Sequence, residues 1–229
     1  MVTRAQLADA AIELARRDPQ LAVVVDRVGR PDLRRGRPRR DHFAELARAI
    51  CYQQLAGGAA ATIHGRFAAL FDGSPDPETV LTVPESTLRG CGLSAAKTAS
   101  IRDLAAKVLD GTVELDRIGR LDDDTVVREL VAVRGIGEWT AQMFLIFQLG
   151  RPDVWPTGDL GVRNGYARLH ELDAAPTARE LEPLGDVYRP FRSVAAWYCW
   201  RVLDVVVPDG AGGARAPARS SSSRRRTRS

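Results

Sequence analysis

A chain of 229 residues, 45% of them apolar, can fill one large domain or two small ones around a real core, which excludes a disordered or fibrous protein. No apolar run approaches the ~18 residues of a membrane span, no signal-peptide pattern opens the chain, and three scattered cysteines (Cys51, Cys91, Cys199) form no disulfide framework, so a reduced cytoplasm is the expected home. The net charge of +4 comes from residues 210–229, which hold six arginines and no acid and leave −2 over residues 1–209, so bulk charge is no argument for nucleic-acid binding by the folded part.

The periodicity is helical almost throughout, with no convincing alternating strand and no internal repeat. A first helix is expected over residues 3–17, with Leu7, Ala10, Ala11 and Leu14 on one face and Thr3 as its N-cap. Residues 29–40 are rich in Gly, Pro and Arg and read as a long loop. From Arg27 to Arg40 seven arginines face a single acid, Asp32, which makes a local basic segment. Asp41 then caps a helix running through Phe43, Leu46, Ala47 and Ile50 to about Leu55. Residues 59–71 form another, stopped by Asp72-Gly73-Ser74-Pro75. Pro84 opens a short helix over 85–89 that Gly90-Cys91-Gly92 breaks, and residues 94–109 form a long amphipathic helix ended by Asp110-Gly111.

Helices over 124–133 and 138–149 flank a hairpin, Arg134-Gly135-Ile136-Gly137. Further helices are expected over 159–169, over 177–183 and over 190–206, the last carrying Phe191, Trp197, Tyr198 and Trp200. Residues 208–229 are low in complexity and are expected to be disordered. The expectation is an all-α domain of about ten helices over residues 1–207. It has two lobes with a cleft between them, one near 41–150, the other from the N-terminal segment plus about 151–207.

Two features carry chemistry. Gly135 and Gly137 allow a turn too tight for side chains, so its N–H groups and the following helix N-terminus can face an anion, with Arg134 adding a charge. The same glycines would also suit an ordinary helix–helix turn. Asp159, after Gly158, opens the next helix; alone it reads as an N-cap, or as a carboxylate held near the gripped nucleotide.

Several ordered motifs go together with the hairpin. They are Asp18-Pro19-Gln20-Leu21-Ala22, Ala49-Ile50-Cys51-Tyr52-Gln53-Gln54-Leu55, Gly92-Leu93-Ser94-Ala95-Ala96-Lys97, and Pro190-Phe191-Arg192-Ser193 with Trp200. With the hairpin and Asp159 they resemble the helix-hairpin-helix DNA glycosylases that carry a Gly/Pro-rich loop and an aspartate. The resemblance is greatest to the compact form of the 3-methyladenine DNA glycosylase II family, over roughly residues 18–203.

That resemblance implies a monofunctional glycosylase that flips out and hydrolytically excises alkylated purines from double-stranded DNA. It implies Asp159 as the catalytic carboxylate and a base pocket lined by Trp139, Trp200, Met143 and Leu160. Met143 and Leu160 are aliphatic where relatives carry further aromatic residues. Gln54 becomes the wedge that fills the gap left by the flipped base, and Gln53 positions or contacts the flipped nucleotide. Arg134, Gly135, Ile136, Gly137 and Thr140 serve the DNA backbone, with Lys97 nearby; Ala56 stands where a serine is usual. Trp139 occupies the position of the lyase lysine, so no Schiff base is expected there.

Three dispersed cysteines cannot supply an iron–sulfur cluster and the three histidines are too far apart in sequence for zinc, so no cofactor is expected. A monovalent cation on the hairpin carbonyls is the one bound ion the resemblance allows. The implied setting is a monomer on damaged DNA, cytoplasmic and nucleoid-associated, with no membrane partner. The alternatives are a DNA-binding helix-hairpin-helix protein without catalysis, and a glycosylase for another damaged base.

Overall fold

Twelve α-helices make up most of the regular structure in the computed structural model, which describes residues 3–33 and 41–203. In chain order they are α1 (Arg4–Arg17), α2 (Pro19–Val28), α3 (His42–Tyr52), α4 (Gly57–Ala69), α5 (Pro77–Thr82), α6 (Glu85–Gly90) and α7 (Ala95–Leu109). There follow α8 (Asp123–Val131), α9 (Glu138–Met143), α10 (Leu160–Leu169), α11 (Ala178–Leu184) and α12 (Arg192–Val202). No strand occurs among the described residues, so the all-α expectation holds. Residues 34–40, most of the arginine-rich segment, and the C-terminal tail lie outside the described residues.

Side-chain caps set most helix starts. Thr3, Asp18, Asp41, Asp76, Ser94, Asp122, Asp159 and Thr177 each accept a backbone N–H from the first turn they precede. Two helices go beyond the sequence expectation. α2 follows α1 with only Asp18 between them; that residue ends one helix and caps the next, and Pro19 occupies the first turn of α2. α5 is a six-residue element between Asp76 and Val83, too short for a periodic signal.

Two boundaries also shift. α3 stops at Tyr52 rather than near Leu55, because Gln53 turns extended and Gln54 enters the left-handed region at φ 55°. The helix expected over 138–149 is continuous only as far as Met143. Phe144–Leu149 is π-helical, and Gly150 at φ 69° ends it.

The helices pack in two groups. α3 is central to one: Phe43, Leu46, Ala47 and Ile50 are buried, and the helix rests against α4, α7 and the π-helical segment. The other group is built on α12, which packs on α10, α1 and α2. Gly165 sets the approach of α10 to α12, since a Cβ there would lie 2.0 Å from the Cys199 carbonyl oxygen. The two ends of the chain are also tied by polar contacts. Tyr188 Oη donates to Asp18 Oδ2 at 2.6 Å, and His170 Nε2 lies 3.0 Å from Tyr188 Oη.

Candidate active site

The carboxylate of Asp159 is buried to 8% exposure at the start of α10. The turn before it is closed by a backbone hydrogen bond: Asp159 N–H donates to the Pro156 carbonyl at 2.9 Å. Trp155 anchors the same turn by donating its indole N–H to the Leu181 carbonyl. Three donors converge on the carboxylate. Oδ1 accepts Val162 N–H at 2.7 Å and Trp200 Nε1–H at 2.9 Å, and Oδ2 accepts Trp139 Nε1–H at 2.6 Å. Both oxygens are therefore held, by bonds of the stronger, charge-assisted kind. Gly161 keeps this arrangement compact: a Cβ there would come within 2.9 Å of both Asp159 Oδ1 and Trp200 Cδ1.

Trp200 comes from α12 and Trp139 from α9, so the carboxylate joins three helices. Trp200 is 1% exposed and packs on Phe147 of the π-helical segment, with ring centroids 5.7 Å apart. Met143 is buried as well. Trp139 is half-buried and Leu160, the first residue of α10, is 61% exposed. Of the four expected pocket residues, Trp139 and Leu160 thus have exposed surface, and Trp200 and Met143 are buried.

The hairpin joins α8 to α9. Gly135 is required there twice over: its φ is +76°, and a Cβ would lie 2.4 Å from Ser100 Oγ of α7. Arg134 N–H donates to Asp103 Oδ2 at 2.7 Å, and Lys107 pairs with the same carboxylate at 2.8 Å. Burial pushes the Asp103 carboxyl the other way, but Lys107 and that backbone N–H together hold it below the usual carboxylate range. α9 then begins at Gly137 with no side-chain cap, so its first-turn N–H groups are left for an outside acceptor. Arg134, Gly135 and Gly137 are exposed, whereas Ile136 and Thr140 are buried. The Ile136 N–H already donates to the Val133 carbonyl at 3.1 Å.

Residues 47–190 match the family described as HhH-GPD superfamily base excision DNA repair protein. The chain belongs to that superfamily. It is 35% identical over 198 residues to DNA-3-methyladenine glycosylase 1 of Schizosaccharomyces pombe, covering 85% of this chain and 87% of that protein. The solved structure of an S. pombe 3-methyladenine DNA glycosylase with abasic DNA superposes with a TM-score of 0.74 at 36% identity, covering 84% of this chain and 95% of that one. A DNA-3-methyladenine glycosidase from Bacillus halodurans superposes at 0.76 with 31% identity, covering 84% and 88%.

Within this HhH-GPD fold several side chains have partners that sequence reasoning did not foresee. Gln53, which the resemblance puts at the flipped nucleotide, donates its Nε2–H to the Gly135 carbonyl at 2.9 Å. Lys97 was expected near the DNA backbone; its Nζ donates to the Cys51 carbonyl at 2.8 Å, closing the end of α3, and desolvation lowers its pKa. Gln54 is exposed, as a wedge would have to be. Ser100 and Asp103 went unnoticed, and the one available signal was their position on the helix that the Gly92-Leu93-Ser94 motif opens. Asp153, the other acid near the site in sequence, is bound by Arg192 at 2.9 Å and Arg189 at 3.2 Å.

Among the described residues no group of three or more His, Cys, Asp or Glu could hold a metal ion. The three cysteines are free and buried, and burial raises all their thiols, Cys51 to about 12.

Proposed function

We propose that the chain is a monofunctional DNA glycosylase that releases alkylated purines of the 3-methyladenine and 7-methylguanine type from duplex DNA and leaves an abasic site. The observation that carries this reading is the Asp159 carboxylate, held by Trp139 and Trp200 directly beyond an uncapped hairpin helix. The Gly137 N–H, the first-turn N–H groups of α9 and the Arg134 side chain would grip a phosphate, a contact that positions the duplex without reading its sequence. The damaged nucleotide would leave the stack and meet Asp159, with Gln54 filling the gap behind it.

Alkylation puts positive charge on the purine, so the C1′–N bond breaks with its electron pair going to the base, which departs neutral. Positive charge then develops on the sugar. The fixed carboxylate of Asp159 stabilises it where it forms. Water adds its oxygen to C1′ and gives up a proton, completing the hydrolysis. A flat cationic base also gains about 0.5–2 kcal/mol from an aromatic face, a modest but discriminating amount, and Trp139 is an aromatic residue of the site with exposed surface.

Strand cleavage would need an amine at the hairpin, and Trp139 stands there. The chain's two lysines are otherwise engaged, Lys97 with the Cys51 carbonyl and Lys107 with Asp103. No cofactor enters this scheme. A monovalent cation at the hairpin would rest on backbone carbonyls; those of Val133 and Gly135 already accept Ile136 N–H and Gln53 Nε2–H. The protein would act as a monomer on damaged double-stranded DNA. A panel of duplexes, each with one lesion and assayed for free base and for nicked strand, tests the proposal: release of alkylated purines with intact strands is expected. Strand nicking or a borohydride-trapped adduct would overturn it, as would binding without release of any base.

A further inference from the structure

The hairpin and the turn that presents Gln54 are 82 residues apart in sequence, yet they are bonded to each other and to a single stripe of α7. Lys97, Ser100 and Asp103 follow one another at three-residue spacing on that helix, so they lie along one face. Lys97 holds the Cys51 carbonyl at the end of α3. Ser100 fills the space that a side chain at position 135 would need. Asp103 holds Arg134 N–H. Between the two loops runs one direct bond, Gln53 Nε2–H to the Gly135 carbonyl at 2.9 Å.

Next to that bond stands Gln54 at φ 55°, a backbone state that residues other than glycine seldom adopt and that persists only where the surroundings impose it. Among the described residues the Gln54 side chain makes no hydrogen bond to the rest of the fold; that of its neighbour Gln53 does. The backbone from which the Gln54 side chain projects is therefore tied to the hairpin through Gln53.

We infer that Gln53 is a positioning residue that couples the phosphate grip at the hairpin to entry of the Gln54 side chain into the base stack. The inference rests on the reading of this chain as a base-flipping glycosylase with Gln54 as its wedge. In it, Gln53 touches no nucleotide: its amide is committed to the Gly135 carbonyl, and what it supplies is register between two DNA-facing loops. Grip and extrusion then proceed as one event. Without the amide the hairpin still binds phosphate, but the wedge arrives with no fixed relation to the gripped nucleotide. The loss should fall on substrates that must be unpaired and unstacked by the protein.

Two measurements on the full chain test this with Gln53→Ala and with Gln53→Glu, which keeps the length and removes the donor. The first uses a duplex with a tetrahydrofuran abasic analogue opposite 2-aminopurine. The wild-type protein should change the 2-aminopurine fluorescence as Gln54 enters. Both variants should bind within about threefold of wild type, because phosphate contacts dominate affinity, yet lose most of the fluorescence change, as Gln54→Ala does. The second compares single-turnover release of one alkylated purine placed either in a paired duplex or in a single-nucleotide bulge. The variants should lose about tenfold on the paired lesion and less than about threefold on the bulged one, where little unstacking remains to be done.

Equal losses on the two substrates, or an unaltered fluorescence change in the variants, would overturn the inference, since general damage to the site predicts the former and a passive Gln53 the latter. A wild-type protein that gives no fluorescence change at all would overturn it too. If the wild type releases no base from either duplex, the glycosylase reading fails, and the fluorescence arm alone decides the coupling.

Discussion

The indole N–H of Trp139 donates to Asp159 Oδ2 across 2.6 Å and so ties the helix after the hairpin to the helix that carries the carboxylate. In the proposed reaction, the element that would grip the DNA backbone and the group that would face the sugar are thereby one unit. With Trp200 on the other oxygen, the carboxylate is held by side chains from both packing groups of the fold. A group fixed in advance of the reaction need not reorganise as charge develops, which is the main source of its effect.

Trp139→Phe keeps an aromatic face for the base and removes only the donor. A hydrogen bond to a charged group contributes about 1.5–3 kcal/mol, so single-turnover release of an alkylated purine should fall by about 10- to 100-fold. Affinity for abasic duplex, measured by titration, should change little. An unchanged release rate would leave Trp139 with a stacking role alone.

Gly135→Ala should weaken both the fold and the DNA grip. The left-handed backbone and the 2.4 Å approach to Ser100 Oγ act together, so a loss of about 1–3 kcal/mol is expected in urea melts. Adding Ser100→Ala should restore part of it, because the oxygen is removed while the backbone strain remains. Full recovery would mean that the strain is negligible.

His170 gives the fold a pH dependence of definite sign. Desolvation lowers its pKa from 6.5, with Asp18 opposing, so the folded protein takes up the proton less readily than the unfolded chain. Stability should therefore be fully present above 6.5 and fall as pH drops from there toward the lower folded value. Thermal melts across that window should show the decline, and His170→Gln should flatten it. A slope of the same size in the variant would assign the effect to other groups.

What the sequence made legible follows from how local each signal is. Gly135, Gly137 and the N-capping Asp159 announce themselves within a few residues, and so do the caps Thr3 and Asp41. α2 was hidden because Asp18 leaves no spacer after α1, and because Val23-Val24-Val25 reads poorly as helix. α5 is too short to show a period. The bonds that define the site join residues 20 and 41 positions apart, Trp139 and Trp200 to Asp159, and nothing in either tryptophan's neighbourhood specifies where its N–H will point. Gln53 and Lys97 show the same gap: residue type and place suggested DNA contacts, while packing gave each a carbonyl partner inside the protein.

The most direct test of the account is Asp159→Asn, assayed for single-turnover base release from a duplex carrying one alkylated purine and for binding to abasic duplex. The substitution keeps the size and the Val162 cap acceptor but removes the charge and turns an NH₂ toward one of the indole donors. The account predicts near-complete loss of release with DNA affinity retained within about threefold, since phosphate contacts lie elsewhere. Release at the wild-type rate would contradict it.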